Sequence, residues 1–467
     1  MSLHIPFDNS YATLPEGFYT RLDPTPVRAA DMLAWNHDLA SELGIKGTDS
    51  SVFAGNSVPE GAAPLAQLYA GHQFGSYNPQ LGDGRAILLG EVIDRNGMRR
   101  DIQLKGSGPT PYSRMGDGRA WLGPVLREYV ISEAMHALGI PTTRALAAVA
   151  TGEAVLRETG PLPGAIITRV AQSHLRVGTF QVFAHRGQID ELRTLTDYAI
   201  ARHYPDADGP LGLLADVCAA QAELIAAWMS VGFIHGVMNT DNCTISGETI
   251  DYGPCAFMDA YHEARVFSSI DRGGRYAYGN QPGIAVWNMA QLATSLIQLS
   301  ADPEAAVEEA TAIVHAMPGQ LQAAWLRRFG AKIGLPDPTP DDLPLIEDLL
   351  ALMQAQGADF TTTFAALGSA TARDQFTDRN AFDTWHARWS ERVGPDAHDI
   401  MAHSNPQIIP RNHRIEEMIA AAVGGDMQPF ERMMTALTHP YDPASEFDDL
   451  RRPPTQDEIV PATFCGT

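Results

Sequence analysis

Apolar residues follow two different periods along the chain, and the change falls near residue 180. Before it, short apolar runs separated by glycine-containing turns predict β-strands. After it, apolar residues recur three and four positions apart, as on one face of a helix. The first part predicts an entry helix at 26–43, strands at 86–93, 100–108 and 164–171, two strands around a Thr-Gly turn within 144–158, and one helix at 122–140.

The second part of the chain is predicted to be mostly helical. Its clearest helix covers 211–232, and the short segment 243–250 reads as a tight hairpin with a Ser-Gly turn. Further helices are predicted at 284–299, 303–328, 344–356, 382–394 and 413–437, followed by an extended tail at 438–467. The pattern therefore predicts an α+β protein with a mixed part at 1–180 and a helical part at 181–467.

The amino-acid composition limits the kinds of protein to which this chain can belong. The 467 residues are 45% hydrophobic and 19% charged, which is typical of a globular chain, and the formal net charge is −23. So acidic a chain argues against nucleic acid or an anionic membrane as a partner. Four cysteines with no C-x-x-C pair argue against a zinc site or a disulfide scaffold. Because no basic segment precedes an apolar run at the N-terminus, we expect a cytoplasmic protein.

The string HGVMNTDN at 235–242 resembles a protein-kinase catalytic loop, H-x-D-x-x-x-x-N, without its aspartate. His235 and Asn242 have the kinase spacing, but Val237 stands where a kinase has its proton acceptor. Asp251-Tyr252-Gly253 follows, where a kinase has its second metal ligand. The ordered set favours Asn242 and Asp251 as Mg²⁺ ligands, whereas either residue alone would more often be a buried amide or a turn carboxylate.

Two further sets of residues are suited to phosphate binding. Lys105 ends a predicted strand and Glu128 lies in the next helix, which is the kinase arrangement of a phosphate-binding lysine and its orienting glutamate. The alternative is a surface lysine and a solvated helix glutamate. Arg169 and Arg176 could form bidentate contacts with phosphate or surface salt bridges. The string GDGRA occurs twice, at 82–86 and 116–120, and an aspartate between two glycines is most often a plain turn residue.

Long segments of the chain resemble the selenoprotein O family, also called the YdiU family, of protein adenylyltransferases. The similarity covers nearly the whole chain and includes NSYATLPEGFY (9–19), LYAGHQFGSYNPQLGDGRAILLGEV (68–92), QLKGSGPTPYSRMGDGRA (103–120), LREY (126–129), TRVAQSHLRVGTF (168–180), HGVMNTDN (235–242), DYGP (251–254) and GRYAYGNQP (274–282). The resemblance implies a protein-kinase-like fold with two lobes, 1–180 and 181–467, the second carrying a helical C-terminal extension. It also implies ATP bound in a flipped orientation and transfer of AMP to Ser, Thr or Tyr hydroxyls of proteins.

The resemblance also implies a role for each residue that matches a family motif. It makes Asp241 the proton acceptor and Lys105, oriented by Glu128, the phosphate lysine, and it makes Asn242 and Asp251 the ligands of Mg²⁺ or Mn²⁺. The remaining nucleotide contacts that it implies are Gly82, Gly84, Arg85, Asp117, Gly118, Arg169 and Arg176. We expect a monomer whose partners are ATP and protein substrates.

Two other classes of function stay open at this stage. One is a kinase that transfers the γ-phosphate, and the other is a silent scaffold that only binds nucleotide. Animal members of the family often carry selenocysteine near the C-terminus, and this chain has Cys465 there. We therefore hypothesise a redox role in which Cys465 pairs with Cys255, against the alternative of two unrelated thiols. A link to oxidative stress comes from the resemblance alone.

Overall fold

A computed structural model describes residues 3–158 and 160–464 of the protein. Its main sheet has eight strands in the order β1-β3-β6-β7-β10-β9-β2, with β8 beside β10 and every pair antiparallel. The strands are β1 (Tyr19–Arg21), β2 (Asp31–Trp35), β3 (Leu65–Gln67), β4 (Gly71–Gln73), β5 (Ser76–Asn78), β6 (Ala86–Ile93), β7 (Arg99–Lys105), β8 (Ala120–Trp121), β9 (Arg144–Arg157), β10 (Gly160–Ala171), β11 (Phe233–Ile234) and β12 (Ala256–Phe257).

Helices dominate after β10, as the apolar spacing predicts. They are α1 (His37–Glu42), α2 (Ser50–Phe53), α3 (Leu122–Ala137), α4 (Val177–Arg186), α5 (Ile189–His203), α6 (Gly209–Ser230), α7 (Gln281–Leu296), α8 (Pro303–Lys332), α9 (Leu343–Gln356), α10 (Phe360–Ala366), α11 (Arg379–Arg392), α12 (Ala397–Ser404), α13 (Asn412–Val423), α14 (Gln428–Leu437) and α15 (Asp448–Arg451). The protein is therefore a mixed α+β protein, with its large sheet formed before residue 172.

Three of the local predictions that were wrong failed because a tertiary contact overrides the local pattern. The predicted entry helix at 26–43 is the strand β2, which pairs with β9, followed by the short helix α1. The Thr-Gly pair in 144–158 does not turn the chain; Gly152 has φ +65°, and β9 continues through it as one long strand. In 243–250, Thr244 bridges to Arg176 and Thr249 to Thr142, so the segment pairs with other parts of the chain instead of with itself.

The sheet divides the hydrophobic core into two clusters. Along β10, Ile166 points into a small cluster formed with α1 and α2, and its neighbour Ile167 points into the large cluster shared with α3 and the later helices. This alternation is the period of two expected for a strand buried on both faces. The predicted helix at 413–437 is two helices, α13 and α14, which separate at Gly424 and Gly425.

Helix α6 is the one helix in the described ranges that is long and apolar enough to cross a membrane by length and composition. In the most apolar window of this helix, 61% of the residues are buried inside the protein, where α6 packs against α7 and α8. Burial of this extent is typical of a core helix, so the composition of α6 is weak evidence for a membrane span.

Candidate active site

A cleft of about 790 Å³ opens where the sheet meets the segment that follows α6. It brings together residues that are far apart in the sequence, from the first glycine turn to the segment at 251. The predicted site residues that line it are Gly82, Gly84, Arg85, Lys105, Asp117, Gly118, Arg169, Arg176, Asp241, Asn242 and Asp251. Glu128 lies behind this wall, in α3, and reaches the cleft through Lys105.

Lys105 connects the sheet, α3 and the segment at 251. It is the last residue of β7, and its Nζ donates to Glu128 Oε2 at 2.7 Å and to Asp251 Oδ1 at 2.8 Å. All three side chains are largely buried. The predicted pairing of Lys105 with Glu128 is therefore present, and the ammonium group is held toward the cleft by two carboxylates.

Arg169 and Arg176 also donate to the carboxylate of the same aspartate. Arg169 Nη1 donates to Asp251 Oδ1 at 2.6 Å and to Glu128 Oε1 at 3.3 Å, and Arg176 Nη1 donates to Asp251 Oδ2 at 2.8 Å. Both guanidinium groups are buried, which excludes the surface salt bridges considered from the sequence. Three cations thus converge on one carboxylate.

The charges around Asp251 determine its ionisation. Burial alone would raise the pKa of its carboxyl, but Lys105, Arg169 and Arg176 outweigh burial and hold that pKa well below the ordinary range. The backbone of Asp251 has φ +62°, a left-handed conformation that non-glycine residues seldom adopt. Strained backbone of this kind persists only where the surroundings fix it, and here three ion pairs hold the side chain.

His235 links the segment 235–242 to the residue before Asp251. Its Nε2 donates to the carbonyl of Ile250 at 2.8 Å, and its ring stacks on Trp228 with centroids 5.4 Å apart. Burial lowers the pKa of His235, so the ring is neutral at pH 7. His235 is therefore an internal hydrogen-bonding residue that ties this segment to Ile250.

Asp241 and Asn242 lie side by side on the cleft wall in a short 3₁₀ turn. Gln73 Nε2 donates to Asp241 Oδ2 at 3.2 Å, while Asp241 Oδ1 is buried without a hydrogen-bond partner in the described part of the chain. Burial raises the pKa of Asp241 to about 6. Arg176 Nη1 also donates to the Asp241 backbone carbonyl at 2.6 Å, which fixes this turn relative to Asp251.

The residues predicted to hold a metal fit Mg²⁺ by their chemistry. Asn242 uses its Nδ2 to donate to the Val237 carbonyl at 3.0 Å, so its amide oxygen is left as an acceptor beside the Asp251 carboxylate. Mg²⁺ prefers such hard oxygen donors and is commonly held by one or two protein groups together with phosphates and water. Over residues 3–158 and 160–464, no three His, Cys, Asp or Glu side chains converge on a possible metal position, so the protein alone offers an incomplete set.

The two GDGRA turns are built into the cleft by close packing. Gly82 has φ +79°, and a Cβ added there would lie 2.5 Å from the Tyr112 ring. Gly118 has φ +66° and packs directly against Gly108 of the Gly-Ser-Gly turn that follows Lys105. Both positions therefore require glycine, because a side chain would displace the backbone that borders the cleft.

Comparison with known proteins identifies the family. The family model described as Protein adenylyltransferase SelO matches residues 1–438. Curated relatives described as Protein nucleotidyltransferase YdiU are 70% identical in Roseobacter denitrificans and 69% in a Ruegeria species, each over 100% of both chains. Another, from a Jannaschia species, is 57% identical over 99% of both.

The chain belongs to the SelO family. It is thus a protein nucleotidyltransferase. The matched residues include every predicted site residue, all of which lie in or directly behind one cleft. The resemblance drawn from the sequence is confirmed.

Sequence reasoning missed Asp83, the second residue of the first GDGRA string. It is not a plain turn residue: it is buried at the cleft, where its Oδ2 accepts from the Gln67 backbone N–H and from Gln103 Nε2, both at 3.1 Å. Burial raises the pKa of Asp83 to about 6, although Arg176 opposes the shift. A charged residue between glycines and directly before a buried strand was the signal that could have revealed it.

Two remaining features of the sequence are the segment GRYAYGNQP and the hypothesised pair of thiols. In GRYAYGNQP, Tyr276 and Tyr278 are buried, so this segment packs against its neighbours, and Tyr276 OH donates to Asn239 Oδ1 of the cleft wall at 2.6 Å. Cys255 is buried, and burial raises the pKa of its thiol to about 12. Cys465 lies outside the described residues, so its pairing with Cys255 stays a hypothesis.

Proposed function

We propose that the protein transfers AMP from ATP to Ser, Thr or Tyr hydroxyls of other proteins and releases pyrophosphate. The observation that carries the proposal is the convergence of Lys105, Arg169 and Arg176 on Asp251 in the cleft. The proposed framework is a protein-kinase-like fold with lobes at 1–180 and 181–467 and the nucleotide between them. The antiparallel sheet, the Lys105–Glu128 pair and the mostly helical second part support it.

The buried cations fit a polyphosphate better than a neutral substrate. Lys105, Arg169 and Arg176 are already oriented by carboxylates, so little side-chain freedom is lost when phosphate oxygens bind. Arginine and lysine near a transferring phosphoryl group stabilise the charge that develops in the transition state. Arg85 and the two glycine turns, with Asp117 and Gly118, border the same space and are proposed to contact the rest of a flipped ATP.

Asn242 and Asp251 are proposed to hold Mg²⁺, or Mn²⁺ in its place. When bound, the metal would neutralise phosphate charge and orient the polyphosphate for in-line attack. Asp251 would also keep its contacts with the two arginines. One residue would thus hold both the metal and these phosphate-binding cations.

Asp241 is proposed to take the proton of the attacking hydroxyl. The Asp241 side chain belongs to a residue of the cleft wall, and a general base typically contributes 10²–10⁴-fold to the rate. The kinase position for this base is Val237, which is buried and cannot accept a proton. This difference supports attack on the α-phosphorus rather than on the γ-phosphorus.

Labelled ATP distinguishes the proposal from its alternatives. The protein is incubated with Mg²⁺, a protein mixture and ATP labelled at the α or the γ phosphate. Label transferred from the α position alone supports adenylylation, whereas label from γ alone would make the protein a kinase. ATP binding without any transfer would make it a silent scaffold.

We also propose the compartment, the oligomeric state and the partners of the protein. A monomer in the cytoplasm that uses ATP and protein acceptors, with neither nucleic acid nor membrane as a partner, agrees with the net charge of −23. Gel filtration at several protein concentrations tests the monomer, since a dimer would elute earlier as the concentration rises.

A further inference from the structure

A small β-hairpin packs directly on the segment that carries Asp241. Strands β4 and β5 pair Gly71 with Asn78 and Gln73 with Ser76, which leaves Phe74 and Gly75 as a two-residue loop. Both loop residues have positive φ, 52° and 82°, the pattern of a type I′ turn. The hairpin borders the cleft through Gln73 and Phe74.

Three successive hairpin residues bind three successive residues of the 239–241 segment. The backbone N–H of His72 donates to Thr240 Oγ1 at 2.7 Å. Gln73 Nε2 donates to Asp241 Oδ2 at 3.2 Å, and the backbone N–H of Phe74 donates to Asn239 Oδ1 at 3.1 Å. These three hydrogen bonds attach the hairpin to the Asp241 turn, although the two segments lie about 170 residues apart in the sequence.

The approach of the two segments is too close for any other residue at position 71. A Cβ added to Gly71 would lie 2.6 Å from Asp241 Oδ1. Asp241 therefore has one oxygen bound to Gln73 and the other beside a glycine that leaves it without a partner in the described residues. The Asp241 carboxylate is therefore held in one orientation, with Oδ1 packed against Gly71 and Oδ2 fixed by Gln73.

Three large apolar side chains that line the cleft are exposed: Phe74, Met115 and Ile270. Phe74 is 37% exposed and Ile270 is 54% exposed, although most large apolar residues of the protein are buried. The Phe74 ring packs on Tyr276 with centroids 5.1 Å apart, and its backbone N–H also donates to Tyr276 OH at 3.2 Å. Phe74 is thus held at the cleft edge by its neighbours, with part of its ring left uncovered.

We propose that the hairpin Gly71–Asn78 is the acceptor side of the cleft: Gln73 positions the Asp241 carboxylate, and Phe74 with Ile270 contacts apolar residues beside the modified hydroxyl. This inference rests on the proposed function. In the reaction, the acceptor oxygen forms a bond to the α-phosphorus, and its proton moves to the Asp241 carboxylate. The bond between the α-phosphorus and the bridging oxygen breaks, and pyrophosphate leaves with the electron pair. Gln73 is a positioning residue in this scheme, and Phe74 determines acceptor preference.

Variants of Gln73 test the positioning role. Gln73→Leu removes the donor at similar volume and should lower kcat about tenfold, the usual effect of losing one hydrogen bond to a charged group, while KM for ATP and for acceptor stays unchanged. Gln73→Asn keeps a donor and should recover part of the rate. Gln188→Leu, which removes a similar glutamine-to-carboxylate hydrogen bond to Glu191 outside the cleft, serves as the control and should match the wild type in rate.

Variants of Phe74 test the acceptor role. The probe is a degenerate peptide mixture with a fixed central Ser, Thr or Tyr, together with a cell lysate, each incubated with α-labelled ATP. Wild-type protein should label peptides that carry apolar residues next to the hydroxyl. Phe74→Ala should raise the acceptor KM about tenfold, the effect of losing much of one aromatic contact, with KM for ATP unchanged.

The outcomes separate this inference from the function on which it rests. Absence of any α-label transfer by the wild type would refute the proposed function, and the inference with it. Normal transfer by the wild type, with Gln73→Leu and Phe74→Ala equally active and equally selective, would overturn the inference alone. A Gln73→Leu protein that loses rate only because its unfolding midpoint falls, without rescue by asparagine, would also overturn it.

Discussion

Replacing Asp251 by asparagine tests whether the three cations of the cleft are arranged for phosphate. The carboxylate accepts from Lys105 at 2.8 Å, from Arg169 at 2.6 Å and from Arg176 at 2.8 Å. The neutral amide would leave Lys105 and Arg169 with Glu128 as their remaining carboxylate partner, and Arg176 with Asp83 at 3.9 Å. Removing one partner of a buried ion pair costs about 3–5 kcal/mol. Because the Asp251 side chain is 20% exposed, we expect the lower end, about 3 kcal/mol of unfolding free energy.

The same substitution should have the opposite effect on anion binding. Without Asp251, pyrophosphate oxygens can take the place of the carboxylate, so pyrophosphate in EDTA should bind about tenfold more tightly, as measured by titration calorimetry. Urea unfolding gives the stability change, and Asp383→Asn in the exposed Arg373–Asp383 pair is the control, for which we expect no measurable change because solvent screens an exposed pair. An Asp251→Asn protein as stable as the wild type, with unchanged pyrophosphate affinity, would refute the reasoning.

Three further predictions concern the base, the metal and a buried lysine. Asp241→Ala should slow α-label transfer by about 10²-fold or more with little change in ATP affinity, and an unchanged rate would exclude it as the base. EDTA should abolish transfer, and added Mg²⁺ or Mn²⁺ should restore it in the wild type but not in Asp251→Ala. Burial lowers the pKa of Lys332 from 10.5 to about 7. Between these two pH values the unfolded chain binds more protons than the folded chain, so the contribution of Lys332 to the free energy of unfolding rises with pH across that window. Lys332→Met should therefore be more stable than the wild type at pH 7, with a difference of up to about 5 kcal/mol that closes toward pH 10.5; a pH-independent difference in urea unfolding would contradict this.

Ordered spacing made much of the site predictable. Lys105, Glu128, Asn242 and Asp251 each have an ordinary explanation when taken alone, but their order and their elements match one known arrangement, and the structure brings them together. The strand β6 and the helix α3 were predicted for a similar reason, since each buries a regular apolar pattern.

The remaining features depend on contacts that no local pattern encodes. Gln73 and Phe74 acquire their place from the 239–241 segment, about 170 residues away in the chain. Asp83 lies in a string that usually marks an exposed turn, and its burial follows from Gln103 on a neighbouring strand. The segment 243–250 has the composition of a hairpin, yet its backbone pairs with Thr142 and Arg176 instead.

The mass of the group left on an acceptor hydroxyl distinguishes transfer of AMP from transfer of phosphate. A peptide labelled by the wild-type protein with unlabelled ATP and Mg²⁺ is analysed by mass spectrometry, and free pyrophosphate and ADP are quantified in the same reaction. We predict an AMP adduct on a Ser, Thr or Tyr side chain and one pyrophosphate released for each adduct. A phosphate adduct accompanied by ADP would contradict it.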